Sequence, residues 1–128
     1  MKKAARKSAP RAKKPRKTVR FLHKPTCSTC IKARKFMEDR GVHLNYRDII
    51  KDRLSAAEIE KLIGPRDHED FLRPSSETYR ENNMKENPPS RREAIRLMAK
   101  DPELIRRPVI VAGGRVVIGY DENGMIRF

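Results

Sequence analysis

Two cysteines spaced Cys27-x-x-Cys30 stand at the seam between a strand pattern and a helix pattern, and no other stretch restricts the fold as strongly. From Val19 to Lys35 the chain runs VRFLHKPTCSTCIKARK. Val19, Phe21 and His23 alternate with Arg20 and Leu22, and Pro25 ends the strand. A helix is predicted from about Cys27 to Asp39, with Cys30, Ala33, Phe36 and Met37 on one face, Ile31 off that stripe and Gly41 as its stop. Residues 42–50 (VHLNYRDII) follow as a second strand, with Val42, Leu44 and Tyr46 on one side. Strand, helix and strand joined this closely imply a parallel unit with a right-handed crossover.

The placement of the cysteines is itself chemical information. A helix start offers unpaired backbone N–H groups and the positive end of the dipole, both of which favour a thiolate on Cys27. A free thiol titrates near ~8.5, and a helix N-terminus, a C-x-x-C setting or a nearby cation brings that to roughly 3.5–7.5. Lys24 and Lys32 are close enough in sequence to add to the field. Cys30, one turn further in, is placed to attack a bond formed on Cys27, so the pair fits a nucleophile and its resolving thiol. Zinc would need four ligands, hence two of His23, His43 and His68, none at finger spacing. A static disulfide closing so short a loop gains little entropy. Two inert core thiols are the remaining alternative, and the position of Cys27 at a turn rather than on an apolar face counts against it.

Charge divides the 128 residues unevenly. Residues 1–17 hold nine Lys and Arg and no acid, and so nine of the fourteen net positive charges. With Ala, Pro and Ser as its other main residues this segment is expected to be a disordered, solvated arm, with a single domain over 18–128. Such a run can bind nucleic acid or an acidic surface through counterion release, or simply solubilise the chain. No apolar signal core follows it and no stretch of 18 apolar residues exists, so neither a secretory signal nor a membrane partner is expected.

The middle of the chain is predicted to be helical. Ser55-Ala-Ala-Glu58 is a capping box ahead of Ile59, Leu62 and Ile63, and Gly64-Pro65 breaks that helix. Two short helices are expected at 67–72 and 75–82, separated by Arg73-Pro74, with a polar connection over 82–89. A second capping box, Ser90-Arg-Arg-Glu93, opens a helix that packs Ala94, Ile95, Leu97 and Met98 inward until Asp101-Pro102, and a brief turn follows at 103–106. Residues 108–112 and 115–118 form a hairpin across Gly113-Gly114, and Asp121 caps a last, short helix. The order is β-α-β, a helical insertion, then β-β-α: an α/β chain with the thioredoxin-like arrangement and extra helices between its halves.

Three stretches, HKPTCSTC, FLRPSSETY and DPELIRRPVIVAGGRVVIGY, resemble the glutaredoxin-coupled arsenate reductase family and its relatives, the Spx regulators. The resemblance covers about 18–128. It implies a catalytic role for Cys27, a supporting one for His23 in the same loop, and a cis-proline at Pro108 beside the thiol. It also implies that Arg73 and Arg107 bind the oxyanion, and guanidinium forks do suit a tetrahedral oxyanion and a thiolate alike. It implies no bound cofactor but an external thiol reductant, either glutathione with glutaredoxin or thioredoxin, and a cytoplasmic protein. Two positions depart from the reductases. Tyr120 stands where a third arginine is usual, as in Spx, which weakens oxyanion binding by about 1.5–3 kcal/mol if a charged hydrogen bond is lost. Cys30 replaces a residue that is not cysteine in single-thiol reductases. Against Spx, that family commonly has another residue at the Arg73 position.

Two functions follow. In one the chain is a thiol oxidoreductase acting on arsenate, a similar oxyanion or a disulfide. In the other it is a redox-sensing regulator that binds RNA polymerase through a C-x-x-C switch, with nucleic-acid affinity from 1–17. His23 and the arginine pair favour the first; Tyr120, Cys30 and the basic arm favour the second.

Overall fold

The computed structural model describes residues 18–128, so the expectation for the basic arm at 1–17 lies outside the described residues. Four strands form one sheet in the order β2-β1-β3-β4, with β1 at Val19–His23, β2 at Leu44–Asp48, β3 at Val109–Ala112 and β4 at Arg115–Ile118. β1 pairs in parallel with β2, Phe21 opposite Tyr46, and antiparallel with β3, Phe21 opposite Ile110. β3 and β4 make the expected hairpin, with Gly113 at φ 59° in its turn, a conformation that glycine adopts without a Cβ clash. With helices on both faces this is the mixed thioredoxin-like architecture that the order of elements predicts.

The sheet separates two apolar clusters. On one face Phe21, Leu44 and Ile110 pack with Ala33 and Met37 of α1 (Ser28–Asp39) and with Met125 of α5 (Glu122–Met125). On the other, Leu22 and Val109 meet Ile59 and Ile63 of α2 (Ala56–Ile63) and Ala94 and Met98 of α4 (Arg91–Lys100). α3 (Glu77–Glu81) and two 3-10 turns, His68–Phe71 and Pro102–Leu104, complete the insertion. Central β1 therefore buries alternate residues toward both layers, as a covered sheet requires.

Differences from the sequence expectations are local. β2 is shorter than 42–50, and Tyr46 is largely exposed because β2 is an edge strand. The 82–89 connection is not wholly polar: Met84 is buried in the insertion's core. At Ser55 both halves of the capping box form, whereas at Ser90 only the hydroxyl bond to the Glu93 N–H does, because the Glu93 carboxylate turns to Arg96 instead. No helix among the described residues is long and apolar enough to cross a membrane.

Candidate active site

Pro25 halts β1 and the chain turns through Lys24–Thr26, with the Cys27 N–H donating to the Lys24 carbonyl at 2.9 Å. Cys27 is the N-cap of α1 at φ −75° and ψ 126°, and its carbonyl accepts the Ile31 N–H at 3.0 Å. This backbone sets the Cys27 sulfur over the open N–H groups of the first turn. Cys27 is partly exposed and Cys30 fully buried behind it, and neither is in a disulfide.

The cations come from distant parts of the chain. An antiparallel bridge between Leu72 and Ile105, with the Arg73 N–H on the Leu104 carbonyl at 2.7 Å and the Arg106 N–H on the Phe71 carbonyl at 2.8 Å, ties the two loops together. Arg107 is buried, its Nη1 lies 3.1 Å from Glu103 Oε1, and its Nε has no hydrogen-bond partner. Arg73 donates from Nε to the Glu103 carbonyl at 2.8 Å and from Nη1 to Ser75 Oγ at 2.7 Å. The Arg107-Pro108 peptide is cis and Pro108 is buried, as the resemblance implies.

Burial by itself would raise the Cys27 pKa. The Cys30 backbone N–H, then the Arg107 guanidinium and the Cys30 side chain, and finally the Thr29 N–H, outweigh it and bring the thiol down to about 7. About half of it is therefore ionised near neutrality. Cys30 goes the other way: burial first, then the neighbouring Cys27, push it up to about 12 against help from the Lys24 backbone, so it stays a thiol near neutrality. Burial and repulsion from Arg107 lower the Arg73 pKa, while Glu103 and the Cys27 thiolate raise it, which makes Arg73 part of the same field.

Cys27, Cys30, Arg73, Arg107 and Pro108 thus gather at the C-terminal end of β1. His23 is placed differently. Its ring packs against Phe21 and Tyr46 at centroid distances of 5.2 and 5.4 Å, burial lowers its pKa, and it is not among the groups that shift Cys27. Lys32 sits 4.3 Å over the Tyr120 ring, which also meets Phe36 edge-on, so its cation is held on α1. Lys24 is turned to Glu103 Oε2 at 3.1 Å. Glu103 is the residue that sequence reasoning passed over: its carboxylate touches Lys24, Arg73 and Arg107 together. An acid four residues before Arg107, in a turn directly ahead of Arg107-Pro108, was the available signal.

No group of three His, Cys, Asp or Glu among the described residues could hold a metal. A groove of about 380 Å³ lies at the far end of the sheet, between α2 and the β3–β4 turn, lined by Arg20, Glu58, Lys61, Arg66 and apolar neighbours. It is remote from the thiol, since Arg20 pairs with Val111 near that turn while Cys27 follows the other end of β1. At the opposite end a half-ionised thiol, a buried second thiol and guanidinium groups meet.

Comparison with known proteins places the chain among relatives of two kinds. The chain is 34% identical over 110 residues to YusI of Bacillus subtilis, covering 83% of this chain and 93% of that protein. It is 28% identical over 112 residues to the global transcriptional regulator Spx of Listeria innocua, 86% of each chain. It also superposes on a crystal structure described as a possible arsenate reductase from Streptococcus mutans UA159, with a TM-score of 0.73 and 30% identity over 88% of this chain and 99% of that one. Residues 22–128, the whole of the sheet, the insertion and the thiol site apart from the start of β1, match the family model, and the chain belongs to the ArsC family.

Proposed function

We propose that the chain is a thiol oxidoreductase of the arsenate reductase type, in which Cys27 attacks the oxidised substrate, Arg73 and Arg107 bind its oxygens and Cys30 resolves the intermediate. The observation that carries this reading is the buried Arg107, whose guanidinium lowers the Cys27 pKa and shares the Glu103 carboxylate with Arg73, so that two guanidinium groups and the nucleophile meet at one place. On arsenate, the Cys27 thiolate forms a sulfur–arsenic bond as one oxygen leaves. Cys30 then attacks the Cys27 sulfur, and the electron pair of the sulfur–arsenic bond passes to arsenic. Arsenic gains two electrons, the two thiols lose them, and their two protons leave with the departing oxygen as water. The Cys27–Cys30 disulfide is returned to thiols by an external reductant, glutathione with glutaredoxin or thioredoxin, in the cytoplasm, where thiols are kept reduced. His23 supports the loop by packing rather than by proton transfer in this scheme.

A second reading is a redox-sensing regulator that binds RNA polymerase. It is favoured by the Spx relative and by Tyr120, whose ring is held by Lys32 and Phe36 rather than offering a third guanidinium. In that reading residues 1–17 add affinity for nucleic acid. Arsenate-dependent NADPH oxidation with the glutaredoxin and thioredoxin systems, on the wild type and Cys27→Ser, separates the two when run beside an RNA polymerase pull-down. Turnover lost in Cys27→Ser supports the reductase. Zero turnover with a pull-down that depends on redox state supports the regulator.

A further inference from the structure

The Glu103 carboxylate stands where three cations converge. Oε2 accepts Lys24 Nζ at 3.1 Å, and Oε1 lies 3.1 Å from Arg107 Nη1 and 3.4 Å from Arg73 Nη2. The Glu103 carbonyl takes Arg73 Nε at 2.8 Å and Arg107 Nη1 at 3.3 Å, and Glu103 is itself fixed by its N–H on Asp101 Oδ1 at 3.0 Å. Asp101 in turn accepts from Thr78 of α3 and adds a weaker negative field at Arg73. The main-chain contacts alone would orient both guanidinium groups, so the carboxylate is not needed to aim them. What it adds is a negative charge bridging the two arginines, the position an oxyanion beside Cys27 would also use. Against Lys24, Arg73 and Arg107 stand the Glu103 carboxylate, the Cys27 thiolate and, more weakly, Asp101, so little positive charge is left in surplus.

We propose that Glu103 is a resident anion of this site, a positioning residue whose charge competes with external oxyanions for Arg73 and Arg107 and so biases the site toward substrates of low charge, such as a neutral disulfide, over dianions. This rests on the oxyanion reading of the arginine pair for its second half only; the effect of the carboxylate on the thiol stands without it. Glu103 Oε1 lies 3.1 Å from Nη1 of Arg107, the guanidinium that lowers the Cys27 pKa, so its negative charge offsets part of that cation's pull on the thiolate, and removing it acts in the opposite sense. The groups acting directly on the thiol are Cys30 and the Thr29 N–H from α1 and Arg107 from the segment before β3, with Arg73 of the insertion coupled to it; Glu103, Lys24 and Asp101 act at one remove, through the two arginines.

The test is the pH profile of iodoacetamide labelling at Cys27, by mass spectrometry, in wild type, Glu103→Gln and Lys24→Met, with and without arsenate as a protecting anion. Glu103→Gln keeps the carbonyl and the shape of the side chain. It is expected to lower the midpoint by about half a unit or more and to tighten arsenate protection at least threefold. Lys24→Met, which removes a cation and leaves the carboxylate in place, is expected to raise the midpoint. A Glu103 that merely braces the loops gives the reverse sign in Glu103→Gln, a higher midpoint and weaker protection, and that result overturns the proposal, as does an unchanged midpoint. A lowered midpoint with no arsenate protection in either protein upholds the charge role of Glu103, overturns its competition with oxyanions and removes the oxyanion reading. Protection equal in both proteins overturns the competition and leaves that reading intact.

Discussion

Replacing Arg107 by methionine isolates the electrostatic contribution of one guanidinium to the reactive thiol. The Arg107 side chain is 6% exposed, and a thioether fills much of its volume without introducing a charge or an unpaired donor. Glu103 keeps Lys24 and Arg73, so the loss of one ion pair to a partly exposed carboxylate costs the fold about 1 kcal/mol or less. At Cys27 the lost interaction is the pull of a buried guanidinium on the thiolate, at most that of a charged hydrogen bond, about 1.5–3 kcal/mol or about 1–2 pKa units. The midpoint of Cys27 alkylation is therefore expected to rise from about 7 to about 8–9. Thiolate occupancy at pH 7 falls about five- to fiftyfold, but a more basic thiolate is intrinsically more nucleophilic by a Brønsted slope of about 0.4–0.5, so the rate at pH 7 drops only about two- to eightfold. The midpoint of the full pH profile, rather than a rate at one pH, is the decisive measurement, with Cys30 as the internal control that stays unlabelled. Should Arg107→Met give the wild-type midpoint while its circular dichroism is unchanged, the guanidinium does not acidify the thiol, and the site argument built on it fails.

Other outcomes follow from the same geometry. Cys30→Ser is expected to abolish formation of the internal disulfide under mild oxidation and to leave a glutathione adduct on Cys27, read by intact mass. The two thiols should also bend the pH dependence of stability in opposite senses. Cys27 titrates at about 7 when folded against 9.0 for an unperturbed thiol, so stability rises between those values as the folded state holds fewer protons. Cys30 titrates at about 12 when folded, so stability falls as pH climbs above 9.0, where the unfolded chain ionises and the folded one does not. Urea midpoints of wild type and Cys30→Ala between pH 7 and pH 10.5 check this: the alkaline decline should flatten in the variant, and an unchanged slope refutes it. Met84→Ala, in a segment whose sequence is otherwise polar, is expected to cost about 2–5 kcal/mol because the residue is 3% exposed among Phe71, Met98 and their neighbours. A loss under 1 kcal/mol in chemical denaturation counts against its place in the core.

Local signals in the sequence were enough for the scaffold. Pro25 and the helix start at Cys27, the Ser55 capping box, the Gly113-Gly114 turn and the Asp121 cap each depend on residues within a few positions of one another, and each forms where expected. Because the sulfur's position depends on the same short-range geometry, the placement of Cys27 at the start of α1 was legible too. Arg73 and Arg107 could be suspected only through resemblance, since nothing local ties residue 73 to residue 107.

The unread part is what long-range packing decides. Whether Met84 is buried depends on helices either side of it, and Glu93 forms its half of a capping box or an Arg96 pair according to small differences that no pattern encodes. The same holds for charge. Lys24 looked like a cation for the thiol and is held instead by Glu103, 79 residues away. The sequence by itself determined the strand–turn–helix that presents Cys27, because hydrogen bonding and capping act between near neighbours. Only the tertiary structure decided which charges surround that sulfur, because the Leu72–Ile105 bridge brings Arg73, Glu103 and Arg107 to one place, and electrostatic coupling follows distance in space rather than along the chain.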